Sequence, residues 1–469
     1  MKVSTINIKN VRSARLRTDA SYHLSEGQIV QKDIVSSPYP LMQIKDVSND
    51  IFIGNRAKRI YVSSIEHGIP FLSSSDILKE DLEHVKLASK KYTPEIDRML
   101  LQKGWTLISR SGTIGNCAFA NTKHAQKLAS EDVIRLVPNN ILRGGLVYAY
   151  LASKYGHSLL TQGTFGAVIQ HIEPDFVGSL PIPHFPEIFQ EEVDDLMQGA
   201  SRLREEATDE LNEAEKILKE AAKLRDLTPE DYDYYGLNNS GRKVSCFIRK
   251  RKDIDTTTIN AFNHSERIRN TKASITCPTV PLKEVLLGGD TFSTGSFPRI
   301  EVKEGCGIML INQKDIFDTI VKGKYISKRN VKTNNLVEYG EVLIAGVGTL
   351  GENETFCRAI YANEDLVGQL VSGEFIRLKT NGKVSSGYLY AWLASDYGFR
   401  LLRNLQAGTK LCRPIPRLVL EIPVPVVEKE TMEEIDKLVK DAYTKRYLAN
   451  CNERKAISLV EQEIESWNK

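Results

Sequence analysis

The run with the most overt chemistry is Gly346-Val347-Gly348-Thr349-Leu350-Gly351, a formal GxGxxG after the strand-like EVLIA. In a dinucleotide fold such glycines open a helix whose N-terminus holds the pyrophosphate, with an acidic residue about 20 positions on. Here ENETFCRAIYA follows, which reads as turn and then strand. A second stretch, Arg110-Ser111-Gly112-Thr113-Ile114-Gly115, shares only GTxG with it, a pattern that suits a tight turn between strands with Gly at φ > 0. Nucleotide binding is therefore not the expectation. No GxxxxGK[ST], HExxH, GxSxG or [DN]PP[YF] occurs, and neither GTxG stretch carries a nuclease-type carboxylate cluster that the other retains. Seven scattered Cys without a CxxC pair argue for reduced thiols and against structural zinc, and the eight His are equally dispersed. No metal, cofactor or catalytic residue is expected on this chain.

What remains is polar and basic. Ser74, within Ser73-Ser74-Ser75, answers Asn312-Gln313-Lys314; Lys90-Lys91 answers Lys328-Arg329; Arg110, Ser111 and Thr113 answer the loop around Thr349. Thr164 and Gln170 stand against Gln406, Lys410 and Arg413. Arg and Lys can pair with phosphates or guanine, and Asn and Gln with adenine edges. Singly, each reads as ordinary surface; their recurrence in matching places makes them candidate DNA contacts. Charge agrees. Residues 186–227 carry 13 acidic and 6 basic side chains and residues 428–469 carry 10 and 8, so a total of +3 leaves about +12 on the rest. The basic run 249–252 reads either as solvated loop or as a phosphate contact.

These places match because the chain is one unit written twice. GWTLISRSGTIGN from Gly104 matches GEVLIAGVGTLGEN from Gly340 at an offset of 236, and YAYLASKYG matches YAWLASDYG at 242, so six residues have been inserted between them. The 242 register also pairs SEDVIRL with SGEFIRL, Gly166 with Gly408, Pro174 with Pro416 and Pro181-Ile182-Pro183 with Pro423-Val424-Pro425. WTLISR, DVIRLV, EVLIAGV and EFIRL read as strands, and 143–161 and 386–403 as amphipathic helices, giving an α+β body with an antiparallel or mixed sheet.

Each body runs into a long helix. In 186–227 apolar or small residues fall at Phe189, Val193, Leu196, Ala200, Leu203, Ala207, Leu211, Ala214, Ile217, Ala221 and Leu224, a coiled-coil seam with a four-four slip at Leu211. A partner lies at 428–467, with Ile435, Val439, Ala442, Ala449, Ile457, Val460, Ile464 and Trp467, interrupted by Arg446 and Glu453. The predicted domains are 1–185, helix 186–228, 229–426 with a polar linker at 229–263, and helix 427–469. No apolar run approaches the ~18 residues of a membrane span, and no secretory signal is read at the N-terminus, so a cytoplasmic protein is expected.

The layout resembles the specificity subunit of a type I restriction-modification system. SRSGTIGN (109–116) with AGVGTLGEN (345–353), the YLASxYG blocks, the Gly followed eight residues later by Pro, the PIP/PVP exits and the heptad helices carry the resemblance over nearly the whole chain. It implies two tandem target-recognition domains separated by two long antiparallel coiled-coil helices. Each domain would read half of a bipartite double-stranded DNA site, and the helices would set the spacing and dock two methyltransferase subunits. Those subunits bind S-adenosylmethionine and methylate adenine, and restriction or translocase subunits join them. The alternatives are a reader or scaffold of another methylase-based phage-defence system, or a diverged nuclease.

Overall fold

The computed structural model describes residues 5–13, 18, 23, 25–54, 58–162, 164, 171–228, 231, 247–254 and 257–467. The chain divides into two units, Met1–Glu205 with Leu448–Lys469, and Glu206–Tyr447.

In the first unit, β1 (Ser48–Ile53), β2 (Tyr61–Val62), β3 (Gly68–Leu72), β4 (Lys86–Ser89), β5 (Thr106–Ser109), β6 (Cys117–Phe119), β7 (Leu128–Ala129) and β8 (Val133–Pro138) form two four-stranded sheets. One is antiparallel in the order β1-β8-β5-β6; the other, β2-β4-β3-β7, is mixed because β3 and β7 run parallel. Two short helices follow, α1 (Gly144–Ala152) and α2 (Lys154–Gln162), and then the long α3 (Glu187–Ala221).

The second unit repeats this with β9 (Ile308–Ile311), β10 (Lys324–Ile326), β11 (Val342–Ala345), β12 (Ala359–Tyr361), β13 (Leu370–Val371) and β14 (Phe375–Leu378) in sheets β10-β9-β13 and β12-β11-β14. Helices α4 (Ser386–Ala394) and α5 (Asp396–Asn404) and the hairpin β15 (Gln406–Ala407) and β16 (Arg413–Pro414) follow, then the long α6 (Lys429–Ser466), of which the part up to Tyr447 belongs to this unit. The architecture is α+β throughout, with two long helices.

Where one amphipathic helix was expected per unit, two occur. Ser153 and Ser395 break them: each Oγ bonds the carbonyl of Tyr150 or Trp392 at 2.6 Å and accepts the N–H of Gly156 or Gly398 at 3.2 and 3.3 Å. A Cβ on either Gly would overlap that same carbonyl, so the second helix can pack only with Gly there. The YLASxYG block is thus a helix–cap–helix corner. Its first helix is buried nearly all round rather than on one face.

The long helix is attached identically in both units. Asp194 on α3 accepts the N–H of Gly145 at 2.7 Å, and Asp436 on α6 accepts that of Gly387 at 2.8 Å. Both donors lie in the first turn of a helix, where backbone N–H groups lack intrahelical partners. A Cβ on Gly145 or Gly387 would stand 2.5 or 2.7 Å from the same carboxylate oxygen.

Within each unit the segments of α3 and α6 run antiparallel. In the first, Gly199 faces Asn452 while Arg204 reaches back to Asn450 at 2.7 Å; in the second, Lys445 pairs with Glu206 at 3.4 Å and with Glu210. The buried seam of α3 is Val193, Met197, Ala200, Arg204, Ala207, Ala214 and Leu218. The expected slip at Leu211 disappears, because Met197 and Arg204, rather than Leu196 and Leu203, occupy the seam and restore a regular alternation. On α6, Glu453 lies in the seam: Arg204 Nη2 meets it at 2.6 Å, and both side chains are buried. Tyr148 Oη donates to the same carboxylate, and burial followed by the Glu453 charge holds its pKa well above the usual range. Helix α3 also ends earlier than the periodicity predicts, since Lys223 adopts φ 51° and Leu224 N–H bonds back to the Lys219 carbonyl at 2.8 Å.

Candidate nucleic-acid interface

Both GTxG stretches are turns between antiparallel strands, β5–β6 and β11–β12, and neither opens a helix. Thr106 opposes Phe119 and Val342 opposes Tyr361, so the offset changes inside the turn, where the six extra residues lie. Gly112 and Gly115 have φ of 73° and 82°, as expected. Gly346 and Gly348 do not show positive φ; they are needed for space, because a Cβ would lie 2.6 Å from the Glu374 carbonyl oxygen or 2.9 Å from the Phe356 Cβ.

In the second unit two loops and helix α5 meet at this turn. Gln313, buried, donates from Nε2 to the Val347 carbonyl and accepts the Val347 N–H at 3.0 Å. Gly348 and Cys412 exchange backbone bonds of 3.2 and 2.7 Å, which ties the β15–β16 hairpin to the turn. Arg403 on α5 donates to the carbonyls of Leu350 and Gly351, the latter at 3.2 Å. The consequence is an exposed group of Asn312, Lys314, Thr349, Lys410 and Arg413 on one loop cluster. Gln406 is buried behind it, its carbonyl accepting from Asn263 Nδ2 at 2.9 Å.

The first unit builds the same turn differently. Arg110 is 3% exposed and its Nη2 lies 2.5 Å from Glu173, so it acts as a strut beneath the surface. Ser111 bridges to His171, Ser109 Oγ and Thr113 Oγ1 are 2.8 Å apart, and His157 Nδ1 sits 3.2 Å from the Gly115 carbonyl oxygen. Thr164 N–H donates to the Thr161 carbonyl at 3.2 Å, ending α2. Gln170, with Gly166 of the Gly/Pro pattern, lies outside the described residues. Ser74 stands in the loop after β3, where Ser73 Oγ donates to Asp76 at 2.6 Å. Of the basic run 249–252, Arg249 is held by Glu266 at 2.5 Å, and the next three residues are exposed.

Lys90-Lys91 and Lys328-Arg329 do not join these loops. They follow β4 and β10, at the end of each hairpin opposite Ser74 and Asn312. Lys90 Nζ lies 3.2 and 3.0 Å from the carbonyl oxygens of Ile65 and Glu66, and Lys91 sits over the Tyr92 ring. Strand register reveals two further matches that sequence comparison missed. Ser89 N–H bonds the Ile60 carbonyl and Ser327 N–H that of Ile300, which pairs Arg59 with Arg299 and Lys86 with Lys324. These segments are too short and too diverged for the repeat to show in sequence; only their hydrogen bonds align them.

Among the described residues no group of His, Cys, Asp and Glu could hold a metal ion, and no helix is long and apolar enough to cross a membrane. A duplicated α+β body, each copy carrying a polar loop cluster and a segment of both long helices, is the class that this geometry defines. Solved structures similar to the chain include the Type-I restriction-modification system S subunit from M. genitalium, at 13% identity and TM-score 0.33 over 91% of this chain and 94% of that one. The HsdS subunit from Thermoanaerobacter tengcongensis is similar at 12% identity and TM-score 0.28 over 91% and 97%. A structure of complex assembly and conformational transition in the type I R-M system is similar at 14% identity and TM-score 0.27 over 92% and 97%. No protein-family model and no curated protein matches the chain.

Proposed function

We propose that this chain is a non-catalytic reader of DNA sequence and an assembly scaffold, the specificity subunit of a type I restriction-modification system. The observation that carries the reading is the duplication itself: packing residues recur in both units while the loops over the GTxG turns differ in residue type. One chain with two related bodies can meet the two halves of a bipartite site as the two subunits of a homodimer meet a palindrome, yet its halves can read unrelated sequences. The domains 1–185 and 229–426 would each take one half-site. The helices of 186–228 and 427–469, acidic against the rest of the chain, would keep off the DNA, fix the half-site spacing and dock two methyltransferase subunits, to which restriction subunits attach. Base contacts would come from Ser74, Ser111, Thr113, Thr164 and Gln170 in the first domain, and from Asn312, Lys314, Thr349, Lys410 and Arg413 in the second. Arg110, Gln313 and Gln406, buried as they are, would hold those loops in place.

Adenine methylation should appear only when the purified chain is combined with a methyltransferase partner, and methylome sequencing of cells with and without the protein should return one bipartite motif. Turnover of DNA or nucleotide by the chain alone, or binding without sequence preference at controlled salt, would overturn the reading. Removing four residues from α3 and the four that face them on α6 should change the spacer in that motif and leave both half-sites intact.

A further inference from the structure

Residues that recur between the two units fall into two kinds. Most are buried and explained by packing: Gly145 and Gly387, Ser153 and Ser395, Arg135 and Arg377. A smaller set is exposed, and its local contacts are not shared by the two units. Arg59, Lys86 and Lys90 in the first unit correspond by strand register to Arg299, Lys324 and Lys328 in the second, and all six are exposed. Side chains alternate across a strand. Tyr61 opposes Ala88 and Glu301 opposes Ile326, so Arg59 with Lys86, and Arg299 with Lys324, lie on one side of their sheets along the β2–β4 edge and its counterpart, while Lys90 and Lys328 follow just past the ends of β4 and β10.

Their neighbours differ between the units. In the first unit the Arg59 guanidinium lies 5.3 Å from the Phe71 ring centroid and the Lys86 ammonium 5.2 Å from that of Tyr61, while Arg59 also pairs with Glu131 at 2.5 Å. In the second, Arg299 lies 5.9 Å from Phe297 and Lys324 pairs with Glu301 at 2.6 Å. Local partners have been exchanged, but the three cations have been kept. A ligand feature met by both units, though they read different sequences, must be independent of sequence. In duplex DNA that feature is the phosphate backbone.

Resting on the reading above, we propose that these two basic sheet edges grip DNA phosphates without regard to sequence and orient each body on the duplex, leaving base selection to the loops. The ion pairs with Glu131 and Glu301 are solvent-accessible and weak, so phosphates can displace them.

The test uses the full chain and a duplex of random sequence, titrated across a salt series by fluorescence anisotropy. Two triple variants are compared, R59Q/K86Q/K90Q and R299Q/K324Q/K328Q, with K429Q/K437Q/K455Q on α6 as a charge-matched control. Each edge variant should lower the slope of log affinity against log salt by about one for each residue removed, and the methylated motif of the assembled complex should keep its sequence. The control should bind like wild type. If wild type binds the duplex and the edge variants keep its salt slope, or if they change the motif, the inference fails and the reader function stands. If wild type does not bind duplex DNA at any salt, the reader function fails with it. Circular dichroism melts matching wild type separate loss of contact from loss of fold.

Discussion

Arg135 and Arg377 occupy the same place in the two units, both fully buried, each opposite a phenylalanine, Phe52 or Phe292, across its sheet. Their surroundings are not the same. Arg377 makes a two-pronged ion pair with Glu341, both contacts at 2.8 Å, and donates to the carbonyls of Asn335 and Leu336. Glu341 is Trp105 in the first unit, so Arg135 has no carboxylate there. It donates instead to the carbonyls of Ala129, Ser130 and Val133, and burial lowers its pKa to about 10. The comparison shows that both units place a guanidinium at this point whatever the charge environment. Backbone carbonyls hold it in each, from different segments, and the counter-ion is optional.

The comparison is broken most sharply by Glu341→Ala, which leaves Arg377 buried without its partner and should cost the second unit roughly 3–5 kcal/mol. Hydrogen exchange resolved by unit should show the loss in 206–447 with the first unit's protection unchanged. The next effect concerns another exchanged position. His124 is buried in the first unit where the matching residue, Leu366, is apolar. Burial, reinforced by Lys123 and Lys127 and opposed by the Ile77 carbonyl and Glu80, lowers its pKa from 6.5 to about 4. The unfolded chain therefore binds this proton first. Stability is complete above pH 6.5 and falls as the pH drops towards 4, by up to about 3 kcal/mol. Urea melts of wild type and H124L across that window should differ in slope, and equal pH dependence would remove His124 from the account.

Arg135→Met should be milder than E341A, about 1–3 kcal/mol, because it orphans carbonyls but no charge; if chemical denaturation shows the two to be equal, the counter-ion is not what distinguishes the units. The smallest expected change is Ser395→Ala, about 1 kcal/mol for a lost helix cap, and Ser153→Ala should match it by calorimetry, since the corner is the same in both units.

Much of this was legible in the sequence. The repeat, the strands flanking GTxG and the two long helices all follow from local pattern. What was not legible rests on distant partners. Hydrophobicity placed Leu203 in the seam and treated Glu453 as an interruption, because nothing local shows that Arg204 will meet Glu453 from the far end of the chain. Arg110 reads as a loop cation until Glu173 is seen beside it. The two glycines of 346–348 look like φ > 0 positions, whereas the close approach of Glu374 and Phe356 is what requires them.

The bond between Asp194 and Gly145, with its twin between Asp436 and Gly387, bears on folding order. Neither short helix is capped by its own N-cap side chain at Arg143 or Ser385, so each borrows its cap from a helix some fifty residues downstream, at 49 residues' separation in both cases. A nascent chain released at Phe185 would hold α1 with that N–H unanswered. The cooperative folding element is therefore a body together with its stretch of long helix, and a fragment cut at the Pro-rich exit should be an incomplete one.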